Sequence, residues 1–148
     1  MSGQDRLVDP DREAFEAFKR CPRDRAIEMV NLLRFRKRAA YPPDHPLAGR
    51  RLSGAEAYRS YSSESAPVFA RVGGTIVWSG VPEVVLIGPA DERWDAAFIA
   101  RYPTAAAFLE MITDAQYRKA VVHRQAAVET SRLIRTLPRQ LDNSRSFG

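Results

Sequence analysis

Residues 27–35 read Ile27-Glu28-Met29-Val30-Asn31-Leu32-Leu33-Arg34-Phe35. In an extended chain successive side chains point to opposite faces. Met29, Leu33 and Phe35 then share one face with Asn31, while Val30 and Leu32 make the other face apolar as well. A strand apolar on both faces belongs inside a layered fold. Asn31 sits in its middle, and a buried amide left without hydrogen bonds costs roughly 1–3 kcal/mol. The stretch reads as an inner strand covered on both sides, with one polar group where a ligand could be held.

On the N-terminal side, residues 1–9 read as a loose arm. Asp9-Pro10 can cap a short helix that ends near Cys21-Pro22, with Phe15 and Phe18 on one face. After the strand comes a loop, Arg36–Leu52, kept irregular by Pro42, Pro43 and Pro46. It has 17 residues, and connections of that length in compact domains are often functional. Ser53-Gly-Ala-Glu56 is a capping box and starts a helix running to Val72. Its inward stripe is Ala57, Tyr58, Tyr61, Ser65, Val68, Phe69 and Val72. Pro67 predicts a kink or break near Ser63–Ala66, and Gly73-Gly74 ends the helix.

Strands are expected at Thr75–Ser79 and Glu83–Ile87, paired as a hairpin through Gly80-Val81-Pro82. A turn over 88–93 leads to a strand at Trp94–Tyr102. Thr104 caps a helix over Ala105–Ile112, Thr113-Asp114 restarts it over Ala115–Val128, and a last strand covers Ser131–Leu137. The polar tail from Pro138 is expected to be mobile. With the short Glu83–Ile87 strand as an extension of the central hairpin, the order is β-α-β-β-α-β. That is the ferredoxin-like α+β arrangement, an antiparallel sheet with its helices on one face. Three parts follow: an arm and short helix over 1–26, the ferredoxin-like domain over 27–138, and a tail over 139–148. The other face of such a sheet also needs cover. A second copy of the same sheet is the economical cover, which predicts a homodimer with two sheets face to face, a dimeric α/β barrel.

Composition narrows the function classes. The chain has 148 residues, 45% of them hydrophobic, which suits one domain with a core. No apolar run approaches the roughly 20 residues of a membrane span, and the first residues lack the apolar core of a signal peptide, so the expected compartment is the cytoplasm, without membrane contact. The single cysteine, Cys21, rules out an intramolecular disulfide and a cysteine zinc cluster. The net charge is +5, yet the basic residues are interspersed with acids. The Glu83–Ile87 strand also lacks the basic and aromatic residues of an RNA-recognition sheet, so nucleic acid is not an expected partner.

The motifs, taken together, are similar to those of one family. They are Met29-Val-Asn-Leu-Leu-Arg-Phe, Ser53-Gly-x-Glu-Ala-Tyr, Ala70-Arg-Val-Gly-Gly, Val77-Trp-Ser-Gly, Leu86-Ile-Gly-Pro, Asp91-Glu-Arg-Trp-Asp, Tyr102-Pro, His123-Arg and Ser131-Arg-Leu-Ile. The chain from about Ile27 to Pro138 resembles the uncharacterised family numbered thirteen-thirty among the domains of unknown function. That resemblance implies the dimeric α/β-barrel superfamily, whose members include cofactor-free monooxygenases, haem-dependent peroxidases, lactone isomerases and plain ligand binders. It implies a scaffold and no particular reaction. The N-terminal helix and the Arg36–Leu52 loop set this chain apart from shorter members.

Candidate site residues come from polar groups placed on apolar faces. At 100° per residue, Arg124 falls among Tyr117, Ala120, Val121 and Val128. A buried guanidinium needs a carboxylate, carbonyls or an anionic ligand. Asp95 is a possible partner, and a substrate carboxylate or enolate is another. His123, beside it at the edge of that face, is the natural general base near neutral pH. Asn31, Tyr58, Tyr61 and Trp78 could line a pocket between helices and sheet, with the phenols donating hydrogen bonds. His45 and His123 lack companions at ligand spacing, so no metal is expected. His123 is the one candidate for a haem axial ligand, and no cofactor is expected. The pattern fits a homodimer with a pocket for a small apolar or anionic molecule. It could be a cofactor-free enzyme of monooxygenase or isomerase type acting on a small carbonyl or aromatic compound. His123 would then move a proton while Arg124 and Asn31 steady negative charge. The alternative is a non-catalytic ligand-binding or structural homodimer.

Overall fold

The computed structural model describes residues 7–140. Strand β1 (Ile27–Phe35) takes an inner place in a four-stranded antiparallel sheet. It pairs with β3 (Ala96–Tyr102) on one side and β4 (Val128–Thr136) on the other. Strand β2 (Thr75–Gly80) pairs with the far side of β3, so the order is β2-β3-β1-β4. Helix α2 (Gly54–Arg71) joins β1 to β2, and α3 (Ala105–Thr113) with α4 (Ala115–Ala127) joins β3 to β4. This is the ferredoxin-like α+β fold, preceded by α1 (Arg12–Arg20). Among the described residues no helix is long and apolar enough to cross a membrane.

The helices cover one sheet face. Ile27 and Met29 lie opposite Tyr102 and Ala100 and are buried with Val68 of α2 and Phe108 and Met111 of α3. A second cluster packs Leu33, Ala57, Ala127 and Val128. The opposite face is open. Trp78 is opposite Ile99, Ile99 opposite Val30, and Val30 opposite Ile134, an apolar row across all four strands. Trp78 is 52% exposed and Ile134 50%.

Local signals hold at most helix ends. Ser53 Oγ accepts from the Glu56 amide while Glu56 accepts from the Ser53 amide, and those bonds hold the Glu56 carboxyl below its usual range. Gly73 follows α2 with φ 88°, a conformation open to glycine. Asp114 ends α3 and caps α4, accepting from the Gln116 and Tyr117 amides.

Four expectations are corrected. Residues 83–87 form no strand, so β2 and β3 are joined by an irregular connection of residues 81–95 in place of a tight hairpin. Apolar, β-branched composition made the strand plausible, but among the described residues no strand pairs with it. Pro67 does not break α2. It is exposed, as is Ser63, so water can take up the carbonyl that loses its amide partner. Helix α1 is capped by Asp11, two residues after the expected Asp9. Strand β4 begins at Val128, directly after α4, earlier than Ser131. Of the tail, residues 141–148 lie outside the described residues, as do residues 1–6 of the arm.

Candidate ligand-binding cleft

Between the helix-covered sheet face and the helices lies a cleft of about 1440 Å³. Its floor is the inward face of the sheet, including Met29, Asn31, Phe98 and Ala100. Helix α2 contributes Tyr58, Tyr61 and Phe69, α3 contributes Phe108 and Met111, and α4 contributes Tyr117 and Arg124. The N-terminal segment and α1 form a further wall, with Leu7, Val8, Phe15 and Phe18. Phe18 is held there by its contact with Phe108, ring centroids 5.1 Å apart, and by the Arg135 guanidinium 4.7 Å from its own ring. Arg135 also donates to the Phe18 and Pro22 carbonyls.

Arg124 lines this apolar cleft, and its charge acts on Tyr58 and Tyr117. It donates to the Val8 carbonyl and, at 3.3 Å, to Ser131 Oγ. Ser131 in turn donates to the Leu7 carbonyl at 2.8 Å. No ion pair of Arg124 is found among the described residues. Tyr61 and Tyr117 share a 2.9 Å hydrogen bond between their hydroxyls. Burial pushes the phenols of Tyr58, Tyr102 and Tyr117 up, and the Arg124 charge opposes the rise at Tyr58 and Tyr117. At neutral pH these phenols stay protonated and can donate hydrogen bonds. Asn31 is buried and donates to the Met29 carbonyl at 3.1 Å. A cation and neutral donors beside aromatic and aliphatic walls suit an apolar body carrying one oxygen with partial or full negative charge.

The candidate residues divide among three places. Asn31, Tyr58, Tyr61 and Arg124 meet in the cleft. Trp78 does not, because the register of β2 against β3 shifts between Ile76 and Trp78. The extra residue at that bulge turns Trp78 from the helix side to the open face. Asp95 stands just before β3. Its carboxylate accepts from the Phe35 amide at 2.8 Å and from Arg93 at 3.2 Å, and it is not the partner of Arg124.

His123 points away from the cleft. One residue along a helix is a 100° turn, which carries it to the side where α4 meets α2 and the Arg36–Leu52 loop. It is 7% exposed. Its Nδ1 is 2.6 Å from the Tyr41 hydroxyl and its Nε2 2.6 Å from the Glu64 carboxylate. Burial, then the Glu64 charge, pushes the Tyr41 phenol up. His45 stacks on Tyr41 with ring centroids 4.6 Å apart. The loop is thus fastened over His123. Sequence reasoning placed Tyr117 on the apolar face of α4 but did not pair it with Tyr61. It did not find Ser131, Tyr41 or Glu64, whose bonds to Leu7 and His123 join residues far apart in the chain.

Comparison with known proteins gives the family. The model described as domain of unknown function (DUF1330) matches residues 47–136, which takes in every element from α2 to β4. The chain belongs to the DUF1330 family. None of the curated proteins matches it. Among solved structures, RPA0582, a protein of unknown function from Rhodopseudomonas palustris, is 53% identical with a TM-score of 0.83. The alignment covers 90% of this DUF1330 protein and 98% of that chain. The methylated form of RPA0582 gives 53% identity and a TM-score of 0.84, covering 93% and 97%. SnoaB, a cofactor-independent oxygenase from Streptomyces nogalater, is 17% identical with a TM-score of 0.49, covering 79% and 96%. At that distance the likeness carries nothing about the chemistry of this DUF1330 protein.

Proposed function

We propose that this protein binds a small, largely apolar molecule in the cleft and anchors its carbonyl or carboxylate oxygen on Arg124. The carrying observation is that Arg124 meets two neutral oxygens, the Val8 carbonyl and Ser131 Oγ. A guanidinium in an apolar cleft gains most from a charged or strongly polar acceptor. Tyr58 and Tyr117, kept neutral by burial, add donors. His123 is engaged with Tyr41 and Glu64, which supports binding over proton transfer by histidine. Titration calorimetry with 2-naphthoate and, as the neutral control, 2-methylnaphthalene tests the reading. The carboxylate is expected to bind at least about tenfold tighter, the worth of one charge-assisted hydrogen bond. Equal affinity for the two overturns it.

The same anchor would stabilise an enolate oxygen, and the neutral donors beside it favour a cofactor-free enzyme as the second reading. That reading expects the methyl protons of 2-acetylnaphthalene to exchange with solvent deuterium faster with the protein than without. No acceleration leaves binding as the function.

The N-terminal segment sits on the anchor, since Leu7 and Val8 supply the carbonyls that Ser131 and Arg124 bond. A ligand oxygen must displace them, so the anchor is only fractionally available. Deleting residues 1–9 is expected to tighten 2-naphthoate binding about fivefold to tenfold. Weaker binding by the truncated protein would show that the segment is wall and not competitor.

We further propose that the working unit is a homodimer packed through the open sheet face. The row Trp78–Ile99–Val30–Ile134 crosses the whole sheet, and monomeric proteins rarely leave such a patch to water. Light scattering is expected to give twice the 16.7 kDa of one chain. Trp78→Glu and Ile134→Glu, both at half-exposed positions, are expected to give folded monomers. A wild-type monomer at micromolar concentration contradicts the dimer.

A further inference from the structure

The cleft holds a second cation on its sheet side. On β4, Ser131, Leu133 and Arg135 pair with Leu33, Asn31 and Met29 of β1. Directly paired residues share a sheet face, so all three stand on the helix side, and all three line the cleft. Ser131 is the residue that Arg124 bonds. The Arg124 anchor and Arg135 are thus set four residues apart along one strand, about 13 Å at about 3.3 Å per residue. Leu133 lies between them, apolar and 41% exposed although it faces the helices.

Arg135 is held much as Arg124 is. It donates to the Phe18 carbonyl at 3.1 Å and to the Pro22 carbonyl, with the Phe18 ring against it. No carboxylate pairs with it among the described residues. A guanidinium has five N–H donors, so two carbonyl bonds leave others for a further acceptor. The charge of the lining is also unbalanced. The guanidiniums of Arg25, Arg124, Arg132 and Arg135 stand against the carboxylates of Asp9 and Asp11, a surplus of two positive charges. Asp11 caps α1, and Asp9 meets the Gln125 amide at 3.3 Å.

We propose that the ligand of the cleft is a dianion, an apolar body with an acidic group at each end, one on Arg124 and the other on Arg135, roughly 10–13 Å apart. This rests on the reading of the cleft as a binding site and names its ligand class. The body lies over Leu133 and Asn31, and each guanidinium can take a carboxylate in two parallel bonds. Spacing sets the selectivity. A diacid with both groups at one end reaches only one of the two cations, so its second charge gains little.

Titration calorimetry with biphenyl-4-carboxylate and biphenyl-4,4′-dicarboxylate tests the second anchor. The diacid is expected to bind at least about tenfold tighter than the monoacid. Arg135→Met is expected to bring the diacid within about threefold of the monoacid, and Arg135→Lys, which keeps the charge, to retain a gain of at least about threefold. Naphthalene-2,3-dicarboxylate, with both charges at one end, is expected to stay within about threefold of 2-naphthoate on the wild-type protein. A biphenyl diacid no tighter than its monoacid, while 2-naphthoate still outbinds 2-methylnaphthalene, overturns the second anchor and leaves the Arg124 reading standing. A gain for naphthalene-2,3-dicarboxylate as large as that of the biphenyl diacid reveals diffuse attraction and overturns it too. Equal binding of 2-naphthoate and 2-methylnaphthalene overturns both readings.

Discussion

Gly54→Ala is expected to lower stability by about 3 kcal/mol. Gly54 is the first residue of α2, where three backbones converge. Its amide donates to the Arg36 carbonyl at 3.0 Å, and the Arg36 amide donates to the Ala127 carbonyl at 2.8 Å. A Cβ on Gly54 would stand 2.2 Å from the Arg36 oxygen and 2.7 Å from both the Arg36 nitrogen and the Ala127 oxygen. All three are backbone atoms fixed by the ends of β1 and α4, so none can swing aside. Alanine must push apart α2, β1 and α4 at the joint beside the Leu33 and Val128 cluster. For a domain of this size the melting temperature should fall roughly 6–12 °C. Gly49 is the internal control, since a Cβ there meets nothing within 4 Å, and Gly49→Ala should melt within about 1 °C of wild type. A Gly54→Ala protein that melts like wild type by circular dichroism would show that the joint is looser than its contacts imply.

Arg124→Met is expected to reduce 2-naphthoate affinity about 10- to 100-fold while leaving 2-methylnaphthalene within about threefold. Methionine keeps most of the length and the apolar stem, so the walls of the cleft persist. What goes is the cation that steadies a negative oxygen beside Tyr58 and Tyr117. The fold should tolerate the change, because Arg124 bonds the Val8 carbonyl and Ser131 Oγ and, among the described residues, is not the partner of a buried carboxylate. Titration calorimetry of both probes against both proteins reads this directly. Parallel losses for the two probes would mean that Arg124 shapes the cleft without anchoring a charge.

Much of the architecture was legible because periodicity reports burial. Strand β1 has the bounds its alternation indicated, and the capping box at Ser53–Glu56 marked the start of α2. The segment 83–87 shows the limit of that logic. Its composition asks for strand pairing, but pairing needs a partner, and among the described residues no strand of its own sheet pairs with it. Trp78 shows a second limit. A one-residue bulge reverses the face of every later side chain, and nothing in Val77-Trp78-Ser79 announces it. Arg124 was legible as a polar residue on an apolar face. The place of His123 was not, since it depends on Tyr41 and Glu64, which lie 82 and 59 positions away in the chain. Two adjacent residues of one helix were read as companions, whereas the helical turn sends one into the cleft and the other under the loop.

The central claim is that an apolar molecule with an oxygen anion seats in the cleft with its oxygen on Arg124. Amide chemical-shift mapping with 2-naphthoate tests it most directly. The account predicts saturable shifts at Asn31, Tyr61, Phe98, Tyr117 and Arg124, and at Leu7 and Val8 as their carbonyls are displaced, with Tyr41 and His45 unmoved. Shifts gathered around Tyr41, His45 and Glu64, with Asn31 and Arg124 silent, would contradict it.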